Sequence, residues 1–259
     1  MNLGLQNKNA LVCGSTQGIG RATAILFAKE GANVTLVARN EEKLKSVIAE
    51  LPSHNQGHSY IVADFTKPEE LRKKLAELNP PSFHILVNNT GGPAGGPVFN
   101  AKLEEFERAF TMHLKCNHVL VQSLVPFMKE EGYGRIINVI STSVKQPLDG
   151  LGVSNTIRGA VANWSKTMAN ELGQFGITVN NVLPGATETE RLNEIIQNKA
   201  NKTGKTSEEV SETMKNAAPA KRFAKPLETA AAIVFLSSGQ AGFINGINLP
   251  VDGGRTKSL

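Results

Sequence analysis

Short apolar runs rich in β-branched residues alternate along the chain with longer segments of helical period. "NALVC", "NVTLVA", "HSYIVA", "FHILVNN", "GRIINVI" and "ITVNNVL" read as strands, and "GINLPV" as a last one after a helix starting near Leu227. Between them, stretches such as Arg21 to Glu30 and Glu41 to Leu51 carry apolar residues at helical spacing. Runs that are apolar throughout, separated by helices, predict a parallel sheet covered on both faces, an α/β fold built of βαβ units. One segment breaks the rhythm. From Glu190 to Arg222 the chain is polar and Lys-rich and has no strand candidate; Gly204 divides two expected helices, and "KTSEEV" suits a helix start. It follows the sixth strand, at the edge where open α/β sheets bind ligands, so it is expected to form a substrate lid, about 190–222.

The 259 residues, 40% of them hydrophobic, are enough for a large core, and the chain is expected to be one domain throughout, 1–259. A net charge of +5 mixed among both signs reads as a solvated surface rather than a nucleic-acid face. Cys13 and Cys116, the only cysteines, have neither disulfide-framework nor metal-ligand spacing, and no metal is expected. Export or membrane insertion is not expected, since no leader pattern is seen and no run approaches the ~18 apolar residues a span needs. A cytoplasmic location fits that reading.

Candidate chemistry begins at the first strand-to-helix turn. "CGSTQGIG" places Gly14, Gly18 and Gly20 in GxxxGxG spacing, where glycine permits positive φ and a helix N-terminus offers free N–H groups to a pyrophosphate. At the end of the second strand, "LVARN" presents Ala38 and Arg39 where an acidic side chain would take the adenosine ribose. A guanidinium there suits a 2′-phosphate, so NADP(H) is preferred, with NAD(H) the alternative. Arg39 could instead pair with Glu41 or Glu42.

"GSTQGIG", "NNTGG", "GRIINVIS", "VNNVLPGATET" and "INGINLPVDGG" occur in order over essentially the whole chain and resemble the successive motifs of short-chain dehydrogenases/reductases, the 3-oxoacyl-(acyl-carrier-protein) reductase branch in particular. The resemblance implies a doubly wound Rossmann fold with a seven-stranded parallel sheet, a homo-oligomer (tetramer or dimer), and oxidoreduction of a small-molecule carbonyl or hydroxyl. It assigns cofactor contacts to Gly14, Ser15, Thr16, Gln17, Gly18, Ile19 and Gly20. Asp64 and Phe65 would lie at the adenine, Asn89, Thr90 and Gly91 near the adenosine ribose and central sheet, and Pro184, Gly185, Thr187 and Thr189 near the nicotinamide and pyrophosphate. Cys13 stands where threonine is usual, and Thr90 where alanine is usual.

The family's catalytic slots are filled differently. Ser141 keeps the serine slot, but Ser154 stands where tyrosine belongs, Arg158 where lysine belongs, and His113 where asparagine belongs. The pattern resembles an atypical subgroup lacking the tyrosine and lysine. An aliphatic hydroxyl is a far poorer acid than a phenol, and a guanidinium holds its proton. Tyr60 and Tyr133, the only tyrosines, are not expected near the site. Proton transfer would then fall to His113, directly or through water or Ser154, with Lys145 a second candidate and Ser143 a spare hydroxyl; Arg158 would hold the ribose or a substrate anion. His113 could equally be a packed helix residue. Two readings stay open: an NADP(H)-dependent oxidoreductase with an unusual catalytic set, or a dinucleotide-binding protein without that chemistry, acting as a sensor or partner subunit. The lid's Lys199, Lys202, Lys205, Lys215, Lys221 and Arg222, mixed with several glutamates, could attract an acyl thioester on a carrier protein.

Overall fold

The computed structural model describes residues 2–79 and 81–258. Seven strands form one all-parallel sheet in the order β3-β2-β1-β4-β5-β6-β7. They are β1 Asn9–Cys13, β2 Asn33–Ala38, β3 Ser59–Val62, β4 Ile85–Asn88, β5 Gly134–Val139, β6 Ile177–Pro184 and β7 Asn248–Val251. The helices are α1 Gly18–Lys29, α2 Glu41–Glu50, α3 Pro68–Ala76, α4 Leu103–Phe110, α5 Cys116–Glu130, α6 Gly152–Leu172, α7 Glu190–Thr203, α8 Ser207–Asn216 and α9 Pro226–Leu236. All seven expected strands form, several trimmed by a residue or two at their ends.

β1 lies mid-sheet between β2 and β4, so the chain winds outward to β3 and then restarts on the other side of β1. Beyond the carboxyl ends of β1 and β4 the connections diverge, and this opens the crevice where doubly wound sheets take ligands. The period-2 alternation divides each strand between two cores. Ala10 and Val12 face one cluster with Phe27, Ile233 and Val234, while Leu11 and Cys13 face another with Leu120, Leu124 and Met128.

A row of asparagines crosses the sheet in register, Asn88↔Asn138, Asn138↔Asn181 and Asn181↔Asn248 on neighbouring strands. Asn88 Nδ2 donates to Asn138 Oδ1 at 2.8 Å, Asn138 Nδ2 to Asn181 Oδ1 at 3.1 Å, and Asn181 Nδ2 to Asn248 Oδ1 at 2.8 Å. Ser165 of α6 ties into the middle, accepting from Asn138 Nδ2 at 2.9 Å and donating to Asn181 Oδ1 at 2.8 Å. Asparagine disfavours strands in isolation. Here Asn88, Asn138 and Asn181 each donate to the asparagine on the next strand, which makes the buried polar row tolerable and locks the register of β4 to β7.

The excursion after β6 is helical, as its polarity predicts. Gly204, at φ +67°, ends α7, and Thr206 starts α8 by accepting from Glu209 N. Leu192, Ile196, Ala200, Val210 and Phe223 form a core of their own, separate from the two sheet cores. At its base, Glu188 N donates to Ala224 O and Ala224 N to Ala186 O. The unit thus packs on itself above two chain segments joined by an isolated parallel bridge between Thr187 and Ala224.

Candidate functional site

The turn from β1 into α1 is built from glycine for two different reasons. Gly14 and Gly18 sit at φ +60° and +54°, a left-handed region that favours glycine. Gly20 is inside α1, and a Cβ there would lie 2.2 Å from the carbonyl oxygen of Gly14. A Cβ on Gly14 would likewise lie 2.2 Å from the carbonyl oxygen of Asn89. Asn89 Nδ2 closes the contact by donating to the carbonyls of Cys13 and Gly14, each at 3.3 Å. No side chain caps α1 at Gln17, and no acidic residue occupies its first turn. Its leading N–H groups and positive dipole end therefore suit an anionic diphosphate, so the residues present fit a dinucleotide.

Within this loop the residues divide. Thr16 is half-buried and Gln17 exposed at the turn, and Ile19 packs partly on the core. Ser15 is turned inward: its Oγ accepts from Val37 N at 3.1 Å, so its side chain joins the loop to β2 rather than facing a ligand. Phe65 also departs from a rim position. Its ring lies in the core with Cys13 and Leu71, and its carbonyl accepts from Cys116 Sγ at 2.9 Å, because an aromatic ring stabilises more by burial than at a polar rim.

Arg39 is exposed, and no ion pair within the described residues uses it. Lys45 takes both Glu41 and Glu42, each at 3.1 Å, which leaves the guanidinium free. Asp64 Oδ1 accepts from Thr66 N and Thr66 Oγ1, both at 2.9 Å. The Thr66 N–H chiefly, with Arg39 contributing charge, holds the Asp64 carboxyl below its usual range.

The other end of the crevice unites three of the sequence's departures. Thr90 Oγ1 and His113 Nδ1 are hydrogen-bonded at 2.7 Å. Arg158 adds its charge to His113's surroundings, and a Cβ on Gly92 would lie 3.8 Å from an Nη of Arg158. Thr90 and His113 are thus one interaction between the end of β4 and the helix above it. His113 sits where α4 and α5 are joined by a π turn over Thr111–Lys115, a local widening of the helix that sequence periodicity does not reveal.

Burial, and secondarily the Arg158 charge, push the His113 imidazole down to about 2. It is neutral at physiological pH, so an imidazolium acid is not available there. The unfolded chain takes up this proton near the ordinary value of 6.5 while the folded one does not. Stability is therefore full above that value and declines as pH falls from 6.5 towards 2. His113 contributes a slope on the order of 1 kcal/mol per pH unit in that window. In urea denaturation between pH 6.5 and 5, His113→Asn is expected to flatten the curve by that amount; an unchanged slope would contradict the buried neutral imidazole.

Arg158 Nη1 donates to the carbonyl of Val139, at the end of β5, at 2.9 Å. Ser141 lies two residues beyond, half-buried, with its Oγ accepting from Ser143 N at 3.1 Å. Ser154 is half-buried in the first turn of α6, one turn before Arg158. Next to it, Asn155 Nδ2 donates to Leu148 O at 2.9 Å while its Oδ1 stays buried without a partner. Lys145 is half-buried in the same loop. Neither tyrosine reaches this end: Tyr60 bonds Glu41 from the edge strand, and Tyr133, at the amino end of β5, donates to Ser237 O.

The helical segment after β6 meets both halves. Thr189 caps α7 by accepting from Leu192 N at 3.2 Å, and its methyl lies 2.9 Å from where a Gly18 Cβ would be. Thr187 is buried, donating to Gly185 O at 3.1 Å, and Pro184 is half-buried at the end of β6. Gly185 has no room for a side chain, since a Cβ would stand 2.7 Å from Asp252 Cα. Gly91 is exposed at the mouth. Arg191, in the first turn of α7, reaches across to donate to Pro93 O at 2.9 Å, joining α7 to the loop after β4.

A family model described as enoyl-(acyl carrier protein) reductase matches residues 14–256. The chain belongs to the short-chain dehydrogenase/reductase family. Within it, the chain is 32% identical to 2,3-dihydro-2,3-dihydroxybenzoate dehydrogenase of Bacillus subtilis, over 98% of this chain and 97% of the relative. It is 30% identical to a 3-oxoacyl-(acyl-carrier-protein) reductase of Staphylococcus epidermidis, over 96% of this chain and 98% of the relative. The crystal structure of L-sorbose reductase from Gluconobacter frateurii, complexed with NADPH and L-sorbose, superposes with a TM-score of 0.92 at 31% identity, covering 100% of both chains. The seven-stranded Rossmann-type fold is thus shared with family members of diverse substrates. No helix among the described residues is long and apolar enough to cross a membrane.

Proposed function

We propose that this protein is an NADP(H)-dependent oxidoreductase of a small-molecule carbonyl or hydroxyl group, working with a catalytic set that lacks the tyrosine and lysine usual in the family. The observation that carries the cofactor half is the uncapped N-terminus of α1 behind a glycine turn, with the unpaired Arg39 beside it. The L-sorbose reductase complex with NADPH supports the same cofactor. Gly14, Gly18, Gly20 and Asn89 shape the diphosphate site, Arg39 meets the 2′-phosphate, Asp64 borders the adenine, and Thr187 and Thr189 border the nicotinamide half. When bound, the nicotinamide supplies or accepts a hydride.

The chain's own residues then handle the substrate oxygen. Ser141 orients it, and Arg158 stabilises negative charge on it without giving up a proton. Ser154 and the neutral Thr90–His113 pair offer hydroxyl and imidazole groups through which a proton from water can move. Of the cations that could attract a carrier protein to the lid, Lys215 is paired with Glu212 and Arg222 with Glu228, which favours a free small molecule over a carrier-bound acyl group. Phe99 and Phe243, 95% and 104% exposed, favour assembly with further copies of this chain.

The test has two stages. NADPH is expected to bind more tightly than NADH, and Arg39→Ala to cut NADPH affinity about tenfold to a hundredfold, the worth of a charge-assisted bond, with NADH unaffected. Equal binding of both cofactors, untouched by Arg39→Ala, would overturn the cofactor assignment. Cofactor oxidation is then followed over ketones, 3-oxoacyl thioesters and sugar-derived carbonyls. Tight binding with no turnover on any of them would favour the second reading, a dinucleotide-binding sensor or partner subunit, which the absence of a strong acid at Ser154 and His113 supports.

A further inference from the structure

Arg158 is 8% exposed and bonded to one protein acceptor, the Val139 carbonyl. Among the described residues no carboxylate pairs with it: the acidic side chains in ion pairs all serve other cations. A buried guanidinium without a counter-charge is costly, and such a group at a crevice marks a candidate ligand site. A second observation lies beside it. His113, 2% exposed, has its Nε2 buried and unpartnered. If Thr90 donates its hydroxyl hydrogen to Nδ1, the remaining hydrogen sits on Nε2, which becomes a second unused donor in surroundings to which Arg158 contributes its charge. Gly92, exposed in the loop after β4, lies close by: a Cβ there would stand 3.8 Å from an Nη of Arg158.

We propose that Arg158 and His113 form a carboxylate-receiving subsite, so that the substrate of this crevice is an anionic carbonyl or hydroxyl compound such as an oxo acid or hydroxy acid. The proposal deepens the reductase reading by naming the substrate class. It does not need turnover, since carboxylate binding belongs to the protein without cofactor. Ribose hydroxyls, the partners expected from the lysine slot, are neutral and leave the charge uncompensated. A carboxylate both neutralises it and accepts the two donors. Phosphate groups offer the same chemistry, and the cofactor's own phosphates are the competing source.

The test titrates sodium acetate, and separately inorganic phosphate, into the cofactor-free protein at constant ionic strength. Imidazole 15N resonances and melting temperature are followed. Acetate is expected to move the His113 signal saturably and raise its pKa, and to raise the melting temperature. Arg158→Gln is expected to weaken acetate at least about tenfold, as loss of a buried ionic partner does. Arg39→Ala should leave acetate binding unchanged. Arg158→Met is expected to raise the melting temperature in the absence of acetate, because it removes an uncompensated buried charge. A purely structural arginine would lower it. The proposal is overturned if acetate produces no saturable shift, if Arg158→Gln leaves its affinity unaltered, or if Arg39→Ala abolishes it. NADPH binding, measured on the same variants, reports on the cofactor reading independently.

Discussion

Gly20→Ala is expected to destabilise the protein by about 3 kcal/mol, the upper range for forcing an atom into a packed interior, and to abolish measurable dinucleotide binding. The direction is the opposite of what the local sequence suggests. Gly20 lies within α1, where alanine is the better helix former by about 1 kcal/mol. The added methyl would meet the Gly14 carbonyl oxygen at 2.2 Å and Asn89 Nδ2 at 2.7 Å. Neither is the free end of a flexible chain: one is backbone, and the other is held by its bonds to the Cys13 and Gly14 carbonyls. To make room, α1 must move away from the turn it follows, and its leading N–H groups move with it. Urea denaturation and NADPH titration of the variant decide the matter. A Gly20→Ala protein as stable as the parent would show that the close approach of helix and turn is not built as described.

Asn138→Ala is expected to cost on the order of 3 kcal/mol or more, since it deletes three buried hydrogen bonds and leaves partners that water cannot reach. Asn88 would suffer most. Its Oδ1 is already unpartnered, and without Asn138 its Nδ2 loses its acceptor as well. Ser165 and Asn181 still hold one another at 2.8 Å, so the damage falls on the β4 side. Asn89, the buttress of the glycine turn, follows directly, and a loss of dinucleotide affinity should accompany the loss of stability. Replacing Asn138 and Asn88 together by valine should cost less than the sum of the single changes, because no stranded donor remains. Strict additivity, or a single-variant cost below about 1 kcal/mol, would show that the row contributes little.

These two positions mark how far the sequence could be read. The βαβ alternation, the glycine turn, the exposed Arg39 and the helical segment after β6 with its Gly204 divide were all legible, because each depends on neighbours within a few residues. Hydrophobic period, positive φ and helix capping are local properties. The asparagines at 88, 138, 181 and 248 lie in the strand segments, but nothing local to each shows that they pair. Their common signal is an asparagine within each of four successive strands of the sheet, β4 to β7. Ser15 and Phe65 fell within motif stretches yet turn their side chains inward, a choice made by the core they pack against.

The catalytic end divides in the same way. Counting along the chain placed His113, Ser141, Ser154 and Arg158 in their slots and marked Thr90 as an exception, but as separate departures. Only the fold brings the end of β4, the π turn before α5 and the second turn of α6 together, so that Thr90 bonds His113 and Arg158 lies beside them. By itself the sequence determined the order of the elements and the kinds of groups available to the site, since periodicity and residue type are written along the chain. The tertiary structure decided their charge states and pairings. Burial of His113 and the missing counter-charge of Arg158 arise from surroundings contributed by segments far apart in sequence, and desolvation acts only once those segments have packed.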